Sequence, residues 1–285
     1  MDIYAEVTTR IISQMEEGII PWSKPWVACG KAISRSTGKP YSLLNQMLLG
    51  RPGEYLTFKQ CQEAGGKVKK GEKSSMVVFW KWLTVEDEDT GEKKEVPFLR
   101  YFNVFHIDQC EGIMARYPSK EPLPESSAPA DEKAEAVLHD YIAASGIKLI
   151  SRESSEAFYR PSTDTVVLPL IKQFGDTAEY YSTAFHELTH STGHPSRLNR
   201  LTETARFGSA PYSREELCAE LGASFILNHL GIETPGSFRN NAAYINHWLG
   251  VLKEDKRLLV SAAGQADKAV RLILGEEADS DVLEG

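Results

Sequence analysis

The sequence predicts an α+β fold in two unequal parts, and three observations carry that reading. The stretch "YPSKEPLPESSAPADEK", residues 117–133, is too rich in Pro, Ser and Glu to bury a core. Before it, helical and extended signals alternate; after it, the pattern is mostly helical. Residues 1–116 are therefore a small α+β domain, 117–133 a linker and 134–285 a mostly helical second domain.

In chain order, "MDIYAEVTTRIISQMEEGII" puts Ile3, Val7, Ile11 and Met15 on one helical face. The same stretch lacks the basic start, apolar centre and cleavage site of a signal peptide. A loop, "IIPWSKPWVACGK", leads to a helix in "YSLLNQMLLG" and another in "TFKQCQEAGG", followed by the glycine-lysine loop "GGKVKKGEKSS". The apolar runs "MVVFWKWLTV" and "VPFLRYFNVF" flank "EDEDTGEKKE", where Asp89-Thr90-Gly91 marks a hairpin tip. Past the linker come a helix, "EKAEAVLHDYIAAS", and two extended segments, around "IKLIS" and "TDTVVLPL". The latter is either an interior strand or an edge strand along which a peptide could pair. Asp176 and Glu179 resemble a capping box that opens a helix running to Gly193. Helices around 213–230 and 241–260 and an acidic tail complete the chain.

Composition narrows the class. The apolar fraction is 41% and the charged fraction 25%, ordinary for a soluble globular protein, and no run has the eighteen or so apolar residues of a membrane span. Cys29, Cys61, Cys110 and Cys218 form no CxxC pair, so reduced, mostly buried thiols and a cytoplasmic location are expected. Residues 1–85 carry 12 Lys and Arg against 7 Asp and Glu, a balance of +5, which leaves −13 for the rest of a chain whose net charge is −8. A basic first third on an acidic protein suggests a polyanionic partner for that part.

The segment "AFHELTHSTGH" carries the chemistry. On a helix, His186 and His190 share a face and present two imidazoles to one ion, while Glu187 sits beside them. A third ligand must come from elsewhere. In HExxHxxGxxH sites a third His follows the glycine, but Ser196 holds that position here and His194 comes two residues early. The helix "YSREELCAELGASFILNHLG" offers Glu215, Glu216 and Glu220. Burying it by Leu217, Leu221 and Ile226 leaves a stripe at 216, 220 and 223 towards the first helix. Glu216 is the preferred ligand; Glu220, the reserve, would orient a ligand His from behind. Three protein ligands leave an open position on Zn²⁺, or a similar divalent ion, for a water whose proton Glu187 can take. Tyr212 and His194 are candidates for polarising a carbonyl. His106, His139, His229 and His247 show no ligand spacing, and Cys218 reads as a core residue.

These motifs resemble a known family. The C-terminal part is similar to gluzincin-type peptidase domains with a Glu ligand in an ExxA[NE] helix, here Glu216 to Glu220. The whole chain resembles ArdC-type antirestriction proteins in "PWSKPW", "STGKPYSLLN", "GGKVKKGEKSSMVVFW", "HELTHSTGH" and "YSREELCAELGASF". The family's YxGxN segment keeps Tyr41 and Asn45 and departs at Leu43, where glycine is usual. The resemblance implies a single-stranded-DNA-binding N-terminal domain and a zincin-like metallopeptidase domain. It implies too an origin on conjugative plasmids and protection of incoming DNA from restriction. Two alternatives stand beside this reading: a cytosolic zinc metallopeptidase acting on a host protein, and a DNA-binding protein whose metal site is purely structural.

The first domain also interleaves cations with rings: Trp22, Lys24 and Trp26 in one loop, Lys67, Lys69, Lys70 and Lys73 in another, and Trp80 and Trp82 on one strand face. Lysines that track phosphates and rings that stack bases suit single-stranded DNA. No helix carries a basic face for a duplex groove.

Overall fold

The computed structural model describes residues 2–23, 31–86, 93–117, 130–201, 210–232 and 242–276, with only the strand course of 80–86 and 93–98. The first half opens with α1 (Ile3–Glu16), whose N-terminus is capped by the Asp2 carboxylate accepting the Tyr4 N–H at 3.0 Å. Its apolar stripe, Val7, Ile11, Ile12 and Met15, is buried. There follow β1 (Ala32–Ser34), α2 (Leu43–Leu49), β2 (Gly53–Thr57) and α3 (Phe58–Glu63), then β3 (Lys67–Val68), β4 (Ser75–Glu86), β5 (Lys93–His106) and β6 (Cys110–Glu111). β4 and β5 pair as the expected hairpin; its tip at 89–91 lies outside the described residues. With β1 and β2 they form a four-stranded sheet in the order β1-β2-β5-β4, while β3 and β6 make a separate short ladder.

Two neighbouring amides of α2 close the edges of that sheet. The Asn45 side chain donates to Val78 O at 2.7 Å and accepts Val78 N–H at 2.8 Å, on the side of β4 without a partner strand. Gln46 does the same for β1, accepting Ala32 N–H at 2.9 Å and donating to Ala32 O at 3.0 Å. Buried backbone groups at a sheet edge must find partners, and here side chains supply them.

The second half begins with α4 (Ala130–Ser145), so residues 130–133, expected in the linker, form its first turn. β7 (Lys148–Arg152), β8 (Phe158–Arg160) and β9 (Thr165–Pro169) make a sheet ordered β7-β9-β8. "TDTVVLPL" thus supplies the central strand, buried at every position, and β7 and β8 are the edges. Helices α5 (Thr177–Ser191), α6 (Ala210–Leu230), α7 (Ala242–Glu254) and α8 (Leu258–Leu274) follow. α7 and α8 replace the single helix expected around 241–260. The Asp255 carboxylate accepts the Arg257 N–H at 2.8 Å, a local turn that competes with the helical bond.

The halves share one core, against the separation that the linker composition suggested. Val7, Ile11 and Met15 of α1, Leu44 and Met47 of α2, and Met76 and Val78 of β4 belong to the same buried cluster as Phe185, Leu188, Leu221, Leu252 and Leu259. Polar bonds tie the seam. Thr8 Oγ1 donates to Lys256 O at 2.6 Å, Lys253 meets Glu16 at 2.7 Å, and Asp267 Oδ1 accepts the Leu43 N–H at 3.2 Å. Each large side chain buried in such a seam contributes about 1.5–3 kcal/mol, so the contact should outlast the covalent link. A chain cut once between residues 118 and 129 is therefore expected to elute from native size exclusion as one folded particle. Elution as two separate halves without denaturant would refute the shared core.

Candidate metal centre

α5 and α6 cross closely because α6 presents Gly222 to Thr189. A Cβ on Gly222 would lie 2.6 Å from both Thr189 Cγ2 and Oγ1. Thr189 cannot give way, since it is fully buried and its hydroxyl donates to Phe185 O at 2.7 Å. α5 itself starts at the Asp176 cap, which accepts Ala178 N–H at 2.7 Å, so the helix is set several turns before the histidines.

This contact brings His186 and His190 of α5 up to Glu216 of α6. Their Nε2 atoms are 3.1 Å apart, and the Glu216 oxygens stand 3.7 Å from His186 Nε2 and 3.6 Å from His190 Nε2. All three ligand atoms lie within 4.8 Å of one another, and no other such group of His, Cys, Asp or Glu occurs among the described residues. Two nitrogens at that spacing suit two bonds of about 2.0–2.1 Å to one ion. The donor set of two imidazoles and a carboxylate suits a divalent cation, and the group is able to bind one. His194 is not part of it: its Nδ1 is engaged by the Ser196 hydroxyl at 2.7 Å.

The surrounding charges are arranged around that group. Glu215 Oε1 lies 3.0 Å from His190 Nδ1, and both Glu215 oxygens accept from Arg200, at 2.9 Å each. Burial works against the Glu215 charge, but the bonds from His190 and Arg200 overcome it and hold the carboxyl below the usual glutamate range. Arg200 also donates to Thr189 O and the Thr192 hydroxyl, which ties the end of α5 to the same carboxylate. Glu220 Oε1 faces His186 Nδ1 at 3.9 Å, an ion-pair distance. Burial pushes Glu187 and Glu216 up, with the nearby His190 opposing in both cases. The Glu187 carboxylate accepts the Tyr159 backbone N–H of β8, and Tyr212 donates its hydroxyl to Glu216, one turn on. The pairing of Glu215 with Arg200 and the role of β8 were not visible beforehand, because neither has a spacing signature.

The residues singled out for nucleic acid fare differently. Trp22 is completely buried in the shared core, its Nε1–H donating to the Tyr244 hydroxyl at 3.3 Å, so it cannot stack on a base. Its apolar ring was better used against α6 than in solvent. Lys67 pairs with Glu111 at 3.1 Å, and Lys69 donates to Asp108 O at 2.7 Å. Lys70 and Lys73 are exposed and make no ion pair among the described residues. Lys24 and Trp26 lie outside the described residues, as do the side chains of Trp80 and Trp82, whose backbones pair with Leu99 and Pro97 in the hairpin. Phe58, Tyr101 and Phe102, not anticipated, leave their rings half exposed.

Comparison with known proteins agrees with this geometry. Residues 134–265 match the zincin-like metallopeptidase family and residues 1–105 the N-terminal domain of anti-restriction factor ArdC. Crystal structures of antirestriction ArdC protein from plasmid R388 are similar over 98% of this chain and all of theirs. The metal-free one has a TM-score of 0.72 at 35% identity, and the Mn(II)-bound one 0.75 at 34%. DNA primase TraC of Escherichia coli is 36% identical over 96% of this chain, which spans only 27% of that relative. An uncharacterized protein of Sinorhizobium fredii, y4eC, is 33% identical over 98% of this chain and 94% of its own length.

The helix crossing generates a test. Gly222→Ala is expected to cost about 1–3 kcal/mol by overpacking and to weaken metal affinity by parting Glu216 from the histidines. Chemical denaturation of the metal-free protein and titration with Zn²⁺ read the two effects. Unchanged values for both would mean that the crossing does not set the site.

Proposed function

The chain belongs to the ArdC antirestriction family, with a zincin-like domain, and from that premise we propose that it binds single-stranded DNA and carries a metal-dependent peptidase centre. The observation that carries the second part is the convergence of His186, His190 and Glu216 from two helices, with Glu187 beside them and outside the ligand set. The Mn(II) found in the related ArdC structure supports a divalent cation here, Zn²⁺ or another. A cation so held would acidify a water and polarise an amide carbonyl.

The protein's own groups supply the rest. Glu187 accepts the proton: burial raises its basicity, and the Tyr159 N–H holds its carboxylate in place. Glu215 and Arg200 keep His190 in one ring orientation, with its Nε2 towards His186 and Glu216, where it would help hold a cation. Tyr212, bonded to Glu216 and near Glu187, is the candidate for stabilising charge that would develop on a substrate. β8, the one of the two edge strands whose Tyr159 N–H meets Glu187, offers a backbone along which an extended peptide of a host protein can lie.

For DNA, support comes from the exposed Lys70 and Lys73, without an ion pair among the described residues, and the half-exposed rings of Phe58, Tyr101 and Phe102 in the same half. Recurrence of the segment inside a DNA primase points the same way. No helix among the described residues is long and apolar enough to cross a membrane, and a cytoplasmic site of action fits a protector of incoming DNA. Shielding DNA requires contact rather than hydrolysis, so protection is assigned to binding.

Three outcomes are expected. His190→Ala should lose Zn²⁺ in metal analysis. Glu187→Gln should keep Zn²⁺ and DNA affinity yet lose peptide cleavage and still protect DNA from restriction; loss of protection with zinc and DNA affinity intact would make proteolysis the mechanism. Replacing Lys70 and Lys73 together by Glu should weaken single-stranded DNA binding and flatten its logarithmic salt dependence by about 1.4 if each contacts one phosphate. An unchanged slope in filter binding would remove that loop from the interface.

A further inference from the structure

Each ligand histidine faces a carboxylate from α6 across its Nδ1 edge, and each carboxylate is held in turn by an outer donor. For His190 the carboxylate is Glu215 and the donor Arg200. For His186 the carboxylate is Glu220, with Oε1 at 3.9 Å from Nδ1, and its other oxygen accepts the Tyr244 hydroxyl at 3.2 Å. Tyr244 is on α7, and its hydroxyl accepts the Trp22 Nε1–H at 3.3 Å. Trp22 is fully buried, and its carbonyl accepts the Asn228 amide at 3.4 Å, two turns beyond Glu220 on α6. The segment after α1 thus grips α6 and α7 directly behind the metal centre.

We propose that Tyr244, oriented by Trp22 of the N-terminal segment, is a positioning residue of the metal centre, acting through Glu220 on His186. The inference rests on the metal reading above. A glutamate can rotate about its last bond; holding Oε2 leaves Oε1 turned to the imidazole. At 3.9 Å a carboxylate so fixed acts on the imidazole by its charge and favours the ring orientation that turns Nδ1 towards it; partners that hydrogen-bond a ligand are worth about 10- to 100-fold in metal affinity. Tyr244 is one step further out, so the effect of its hydroxyl is smaller. The consequence is that residues from the DNA-binding half complete a site whose ligands all come from the other half.

The test is a Zn²⁺ titration of the full chain against a competing chelator. Tyr244→Phe, which keeps the ring, is expected to weaken Zn²⁺ affinity on the order of 10-fold or somewhat less, and Trp22→Phe, which removes only the indole N–H donor and some ring area, by a smaller factor. In a Glu220→Gln background the Tyr244→Phe loss should shrink, because the two act as a unit; a structural effect would persist there and would also lower the stability of the metal-free protein. Wild-type affinity in Tyr244→Phe, or a full additional loss in the double variant, overturns the proposal. A wild-type chain that takes up no Zn²⁺ overturns the metal reading, and this inference with it.

Discussion

The close crossing of α5 and α6 at Thr189 and Gly222 is the contact on which the site depends. Ligands on two helices can meet one ion only if the helix axes approach closely, and a side chain at 222 would hold them apart. Thr189 sits between His186 and His190 in sequence but on the face turned to α6's backbone, and it is locked by its bond to Phe185 O. The helix pair is thus packed first, by the apolar residues Leu188, Leu217 and Leu221, and the polar atoms are carried into place.

That packing creates an electrostatic problem. Glu187, Glu215, Glu216 and Glu220 lie around two imidazoles in a partly buried volume, and burial disfavours the charges of the first three. Arg200 resolves it for Glu215 alone, with two bonds in a fork. Among the described residues no comparable cation forks onto Glu187 or Glu216, and burial pushes both up. A divalent ion held by His186, His190 and Glu216 would balance them.

Much of this was legible in the sequence. The HExxH spacing placed His186, Glu187 and His190 because helical periodicity is local, and the absence of a histidine at Ser196 sent the search for a third ligand to the next helix. Glu216 could be preferred because the buried positions of that helix determine which face remains. The hairpin and α1 were readable for the same reason. What could not be read depends on distant partners. Arg200 has no motif, Tyr159 contributes a backbone N–H that no side chain advertises, and the order β7-β9-β8 is a pairing choice. Trp22 shows the limit best. A tryptophan beside lysines suits stacking on a base, yet the same ring satisfies a core, and only the fold decides.

The linker misled in an instructive way. Its composition speaks for that stretch alone and says nothing of whether the flanking parts pack on each other. The apolar face of α1 has a clear period and no address; α7 and α8 provide it. Cap and core cooperate here, since Asp267 of α8 also holds the first turn of α2, whose Asn45 closes the edge of β4. The order of α2, and with it the sheet edge, therefore depends on α8 being in place. A longer relative carries the segment almost whole, with further sequence beyond it. Inheritance as one piece is what a shared core favours, because either half transplanted alone would expose the apolar seam that the other covers.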